Sequence, residues 1–333
     1  MVSRRRALGL GLATVAGVSV AACGGSGSGS DSTSGGGSWE YTDARGKRVS
    51  LKQRPQRIVA YSGVIGALND YGVHFAGVYG PHSPVNGKPN PQSGDANFAN
   101  IRSVGEKYGD FDIEKLLALR PDLVLETSFL PNKPFYITPE VLPKVEQAVP
   151  VALIDTSART NTLQILDNMT KLARSLGGNP DSDSAKQARS RFDKASAAIK
   201  ENAKANPLRV MMISGSPDKL FVTHPKEQDN SRYVRDLGVN FVDPPYTQKG
   251  EVFIELSWEQ VGRYPADVIL YDSRPQAMKI EELKKVPTFA TLPAVRAGNV
   301  APWNPEIPFS HLQLAKNLEP IAEWQRKFKP VAV

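Results

Sequence analysis

From Trp39 onward, short apolar runs bounded by Gly, Pro or charged residues alternate with segments whose apolar positions recur every three or four residues. Val49–Leu51, Arg57–Tyr61, the stretch VHFAGVYG ending at Gly80, Leu123–Leu125 and PVALID at 150–155 read as strands. DIEKLLALR reads as a helix that stops before Pro121. Beyond residue 158 the pattern changes: Leu163, Leu166, Met169, Leu172 and Leu176 recur at helical spacing, Thr160 or Asn161 supplies a cap, and Gly177-Gly178 a stop. These positions predict one helix over 160–178, and 181–204 predicts a second with a charged exterior. The first pattern then restarts. LRVMMIS and ADVILYDS read as strands, YVRDLG as a helix end and SWEQVGRY as a helix. HLQLAKNLEPIAEWQRKF reads as a closing helix kinked at Pro320. Strands alternating with helices predict parallel βαβ packing in an α/β chain.

One sentence of this pattern occurs twice. EKLLALRPDLVL at 114–125 and EQVGRYPADVIL at 259–270 each begin with Glu, and eight positions on each has an Asp, Asp122 or Asp267, that opens an apolar run. A helix leading into a buried strand is common in α/β chains. What marks this pair as a repeated lobe is the order around it: export segment, tether, lobe, helix, lobe.

The ends and the composition narrow the class. Arg4-Arg5-Arg6, a short apolar stretch from Ala7 to Ala22 and small residues before Cys23 form a signal peptide over 1–22, too short and too rich in Gly and Ala to span a bilayer. Val20-Ala21-Ala22-Cys23 resembles a bacterial lipobox, which would make Cys23, the one cysteine, the lipidated first residue of the mature chain; Ser3-Arg4-Arg5 resembles a twin-arginine export signal. Residues 23–38 are Gly- and Ser-rich and read as a tether. Three of the 41 basic residues lie in the signal, and the remaining small, scattered excess over 34 acidic residues is no nucleic-acid footprint. The four histidines, His74, His82, His224 and His311, lack metal-ligand spacing, and His74 and His311 read as packing residues. No Gly-x-Ser-x-Gly elbow or His-Glu-x-x-His motif points to an exported enzyme, and a tethered adhesion or signalling protein would leave the paired Glu units unexplained.

YTDARGKRVSLKQRPQRIVAYS, DIEKLLALRPDLVL, LSWEQVGRYPADVIL and LPAVRAGNV followed by Trp303 together resemble the ABC-transporter solute-binding lipoproteins of the helical-backbone type, the group that carries ferric siderophores, cobalamin and heme. The resemblance implies two Rossmann-like α/β lobes, 39–158 and 179–333, joined by a single rigid backbone helix within 159–178. It further implies a monomer held on the outer face of the cytoplasmic membrane by its lipid, which delivers ligand to a permease dimer driven by a cytoplasmic ATPase. In this group one Glu on each lobe docks onto permease arginines, and the matching positions are Glu114 and Glu259.

Open α/β sheets bind ligands at strand ends. Counting to those ends gives Tyr61-Ser62, Tyr79, Lys107-Tyr108 and Ser128-Phe129 in the first lobe. In the second it gives Ser214 to Ser216, Arg232, Tyr246, Tyr271 with Arg274, and Trp303. Aromatics outnumber arginines, which suits a compact ferric trihydroxamate, neutral or weakly cationic, better than a polyanionic catecholate or citrate complex that needs an Arg/Lys cluster. The metal travels with the ligand, so no resident cofactor is expected. Heme would require an axial ligand, for which His82 or Tyr79 could serve, although GPHSPVNGKPNPQSG reads first as a mobile loop; cobalamin would be held by shape and aromatics.

Overall fold

The computed structural model describes residues 37–157, 159–247 and 250–332. The expected signal peptide, Cys23 and nearly all of the expected tether lie outside the described residues.

An antiparallel hairpin, β1 (Trp39–Thr42) with β2 (Arg48–Leu51), opens the chain and sinks Trp39 and Val49 into the first core. The first sheet follows: β3 (Ile58–Tyr61), β4 (Gly77–Tyr79), β5 (Arg102–Gly105), β6 (Leu123–Ser128) and β7 (Val151–Asp155). Its order is β5-β4-β3-β6-β7, and every pairing is parallel. Helices α1 (Ser62–Asn69), α2 (Ile113–Ala118) and α3 (Leu142–Ala148) make its crossovers. Both faces are therefore covered, which is why β3 and β6 are buried along their whole length rather than alternating.

Helix α4 (Thr162–Ser175) follows the first sheet, capped by Asn161 through the Gln164 N–H. Ile165, Met169 and Leu172 belong to the first core and Leu166 to the second, so α4 is packed into both lobes. After α5 (Asp183–Ala205) comes the second sheet: β8 (Arg209–Gly215), β9 (Leu220–Thr223), β10 (Asn240–Phe241), β11 (Phe253–Leu256), β12 (Val268–Asp272) and β13 (Val300–Trp303). Strands β8, β12 and β13 run parallel, whereas β9 and β11 are added antiparallel at one side. Helix α6 (Asp229–Asp236) lies between β9 and β10 in sequence. The C-terminal helix His311–Lys327 packs along α5 and runs through Pro320.

Several local expectations change. SWEQVGRY forms a 3₁₀ turn, Trp258–Arg263, rather than an α-helix; Ser257 and Gln260 close a capping box around it. The loop GPHSPVNGKPNPQSG is anchored at its end, where Asn90, Gln92 and Ser93 are buried and Gln92 reaches Glu306 of the second lobe, while its first half is largely exposed. His74 is exposed, not packed. His311 does pack, between Phe192 and the Tyr71 hydroxyl, which lies 3.2 Å from its Nδ1.

Candidate functional site

The C-terminal ends of the parallel strands in both lobes converge on one cavity of about 530 Å³. Tyr61 closes β3, Thr127 sits near the end of β6, and Thr156 follows β7. Opposite them, Ser214 comes from β8, Asp272 ends β12 and Trp303 ends β13, while Met169 of α4 joins the lining between the lobes. Each lobe thus offers the same edge of its sheet, the place where the chain leaves a strand and side chains stand clear of the ladder.

The first-lobe wall is aromatic. Tyr61 stacks on Tyr136 with ring centroids 4.9 Å apart, Phe129 meets Phe135 edge-on at 5.2 Å, and Phe135 meets Tyr136 edge-on at the same distance. The loop carrying Phe129 and Phe135 is fastened by a carboxyl that is fully buried. Glu126 accepts the Ile137 N–H at 2.8 Å and the Thr127 N–H at 2.6 Å. Burial pushes Glu126 up to about 8, against the pull of those N–H donors and of the Tyr79 hydroxyl. Burial likewise raises Tyr61 well above the ordinary phenol value, and Glu306 adds to it.

The second-lobe wall sets a cluster of acidic groups among apolar side chains such as Phe221 and Phe253. Arg274 lies between Asp272, whose two oxygens are 3.0 Å from its Nε, and Glu306, which receives its Nη1. Burial alone would lower the guanidinium, but these two carboxylates raise it further. Asp229 accepts the Thr162 hydroxyl at 2.8 Å and Arg232 Nη2 at 2.6 Å, and burial pushes it up to about 6. Among the described residues, the indole N–H of Trp303 and the side-chain oxygen of Asn230 are buried without hydrogen-bond partners.

Of the ten aromatic and basic residues counted to strand ends, the structure brings four to the cavity, Tyr61, Phe129, Arg274 and Trp303, and of the counted serines Ser214 lines it as well. The other six lie elsewhere. Tyr79 is buried in the first core, donates its hydroxyl to the Leu125 carbonyl at 2.8 Å and packs edge-on against Phe111. Lys107 is exposed, and Tyr108 is exposed while lying 5.5 Å from Phe135 on the outside of the aromatic wall. Arg232 is turned away from the cavity to Asp229 and the Thr160 carbonyl. Tyr246 stacks on buried His224 at 3.9 Å, and Tyr271 packs against the separate cluster of Met211, Ile213 and Ile269 in the second lobe. His82 binds the Gly80 carbonyl and leans on Phe98, so neither proposed axial ligand, His82 nor Tyr79, reaches the cavity. Gln92, Phe135, Glu227 and Glu306 line it instead, all from loops that counting along strands does not reach.

Glu114 and Glu259 are exposed and stand at equivalent places, each the second residue after its cap, Asp112 for α2 and Ser257 for the 3₁₀ turn. Hydrogen bonding from Ser257 holds Glu259 below the usual carboxylate range. Neither lines the cavity. Among the described residues no helix is long and apolar enough to cross a membrane, and no cluster of His, Cys, Asp and Glu could hold a metal ion.

Comparison with known proteins places this geometry. The model of the periplasmic binding protein family matches residues 60–307. The chain is similar to DesE, a ferric-siderophore receptor protein from Streptomyces coelicolor, at 35% identity and a TM-score of 0.84, over 88% of this chain and 100% of that one. It shares the fold of VctP, the periplasmic catecholate-siderophore binding protein of Vibrio cholerae (14% identity, TM-score 0.61, 87% of this chain and 99% of that one). It likewise shares the fold of the Vibrio cholerae siderophore-binding protein FhuD with Fe3+-Desferal bound (16% identity, TM-score 0.57, 80% and 96%). A search of curated protein sequences gives no match.

Proposed function

Because the chain belongs to the periplasmic binding protein family, we propose that it is the extracytoplasmic carrier of an ABC importer, with a ferric siderophore as its cargo. It belongs with binding proteins rather than enzymes, and iron arrives already held by the ligand. The observation that carries the reading is the cavity itself. It has the size of a small-molecule site, lies between two lobes, is rich in aromatic side chains, and is built from matching strand ends. The similarity to a ferric-siderophore receptor over nearly the whole chain supports the same cargo.

A hydroxamate complex suits the lining best. Its flat apolar flank can stack on the Tyr61 and Phe129 wall, and its oxygens can accept from the remaining Arg274 donors. Loaded protein docks through Glu114 and Glu259 onto two equivalent basic patches of a permease dimer, and Cys23 carries the lipid that keeps the monomer at the membrane.

Intrinsic tryptophan fluorescence of residues 39–333 tests the cargo, with Trp303 in the cavity lining as reporter. Titration with ferric hydroxamates, ferric catecholates, heme and cobalamin, corrected with free tryptophan, should give saturable quenching by the hydroxamates. Absence of binding by all four removes the siderophore reading.

A further inference from the structure

The charges lining the cavity are unevenly matched. Glu227, Asp229, Asp272 and Glu306 face a single base, Arg274, among the described lining residues. Arg274 is already shared by Asp272 and Glu306, so it offers an incoming anion no uncompensated charge. Asp229 is paired with Arg232, which does not line the cavity. Glu227 is half-buried, interacts with the Tyr246 hydroxyl, and has no ion-pair partner among the described residues. Asp229, though raised by burial to about 6, remains mostly ionised at neutral pH. A ligand with several negative charges would therefore bring them against a wall of like charge in a partly desolvated site, where repulsion is weakly screened. A positive substituent would find Glu227 waiting.

Resting on the siderophore reading above, we propose that this wall selects cargo by net charge. The cavity accepts ferric complexes that are neutral or singly positive and rejects polyanionic ones. Glu227 is the specificity residue that seats a cationic substituent of the ligand, while the iron core lies against the aromatic wall. Charge, rather than the shape of the iron centre, then separates hydroxamates from catecholates here.

The test uses three linear ferric trihydroxamates with one iron core and different ends: a free ammonium, its acetamide and its succinamate, carrying one positive charge, none and one negative charge. Calorimetric titration of residues 39–333 at low salt should give affinities falling in that order, by roughly tenfold from cation to neutral complex, with the spread narrowing at high salt. Glu227→Gln should reduce the preference for the ammonium over the acetamide to within about threefold, in a variant that still melts cooperatively. Equal affinities for the three in the wild-type protein overturn the inference, as does an unchanged ammonium preference in Glu227→Gln. Should that variant fail to fold, the wild-type salt series decides alone: salt must weaken the cation and spare the neutral complex, and salt-independent binding of both overturns the proposal. Failure of all three to bind is a different result; it removes the siderophore reading, and the charge rule with it.

Discussion

Glu126 shows how one side chain can hold a wall of the site without lining it. Its oxygens take the N–H groups at both ends of the loop that carries Phe129 and Phe135, in a place with no exposure to water. The cause of its raised value, about 8, is burial, so the folded protein keeps a proton that the unfolded chain releases near pH 4.5. The sign follows from linkage. The contribution is full below about 4.5 and is lost as pH rises through about 8. Glu126→Gln, which cannot ionise, should therefore flatten the fall of melting temperature across that window, even where losing one acceptor costs about 1–3 kcal/mol throughout. Parallel melting curves for the two proteins from pH 5 to pH 9 would contradict the assignment. Gly66 is a second such residue. A Cβ there would press into the Ser93 carbonyl oxygen and lie 2.8 Å from Pro308 Cγ, where the lobes touch. Gly66→Ala should cost about 1–3 kcal/mol in denaturant unfolding; an unchanged midpoint would mean that the two loops can part freely. Neither role was legible in the sequence. A Glu inside LVLETS looks like the polar break of a strand, and Gly66 like a weak point in a helix. Both depend on groups brought from distant loops.

At the scale of elements, the duplicated stretch has a structural meaning beyond its glutamates. Asp122 accepts the Gln56 and Arg57 N–H groups at 2.7 and 3.0 Å as the chain enters β3, and its own N–H bonds back to the Arg57 carbonyl. Asp267 does the same at the start of β8, accepting the Arg209 N–H at 2.8 Å and returning its N–H to the Arg209 carbonyl. Each Asp thus fixes the register of its strand against the neighbouring parallel strand, satisfying donors that the ladder leaves open. Alanine at either position should destabilise its lobe by about 1–3 kcal/mol, measurable by urea unfolding, and Asn should recover part of the loss; full stability of both Ala variants would reduce the echo to coincidence. Burial would raise Asp267, but hydrogen bonds from Arg209 and Val331 outweigh it and hold the carboxyl low. Its contribution is accordingly present above the ordinary carboxylate range and disappears as acid protonates it. The alternation of buried strands with helices was readable along the chain because parallel strands covered on both faces leave continuous apolar runs. Short antiparallel strands such as β9 and β11 carried no such signal, and the 3₁₀ turn shares its apolar spacing with a helix.

In the whole molecule the lobes are joined by more than α4. Asn304 donates to the Pro91 carbonyl at 2.8 Å, Gln92 meets Glu306, Gln313 reaches Asp70 and Asp95 at 3.2 and 3.0 Å, and Lys316 pairs with Asp95. These contacts tie the loop over 90–95 and the end of α1 to the segment leading into the C-terminal helix, so any closing movement would have to stretch or break them. The docking proposed above needs one surface point on each lobe that a permease could read. Glu114 and Glu259 are suited to this: both are exposed, both occupy the same place after a helical cap, and neither touches the cavity. An exposed ion pair contributes only about 0–1 kcal/mol, whereas a charge pair desolvated at an interface can couple by about 1.5–7 kcal/mol. The consequence is an asymmetry between binding and transport. Reversing both charges, Glu114→Arg with Glu259→Arg, should leave ligand affinity within about twofold and cut iron uptake by cells at least tenfold, about 1.4 kcal/mol, with each single reversal in between. Uptake that survives the double reversal at its normal rate would overturn the docking proposal.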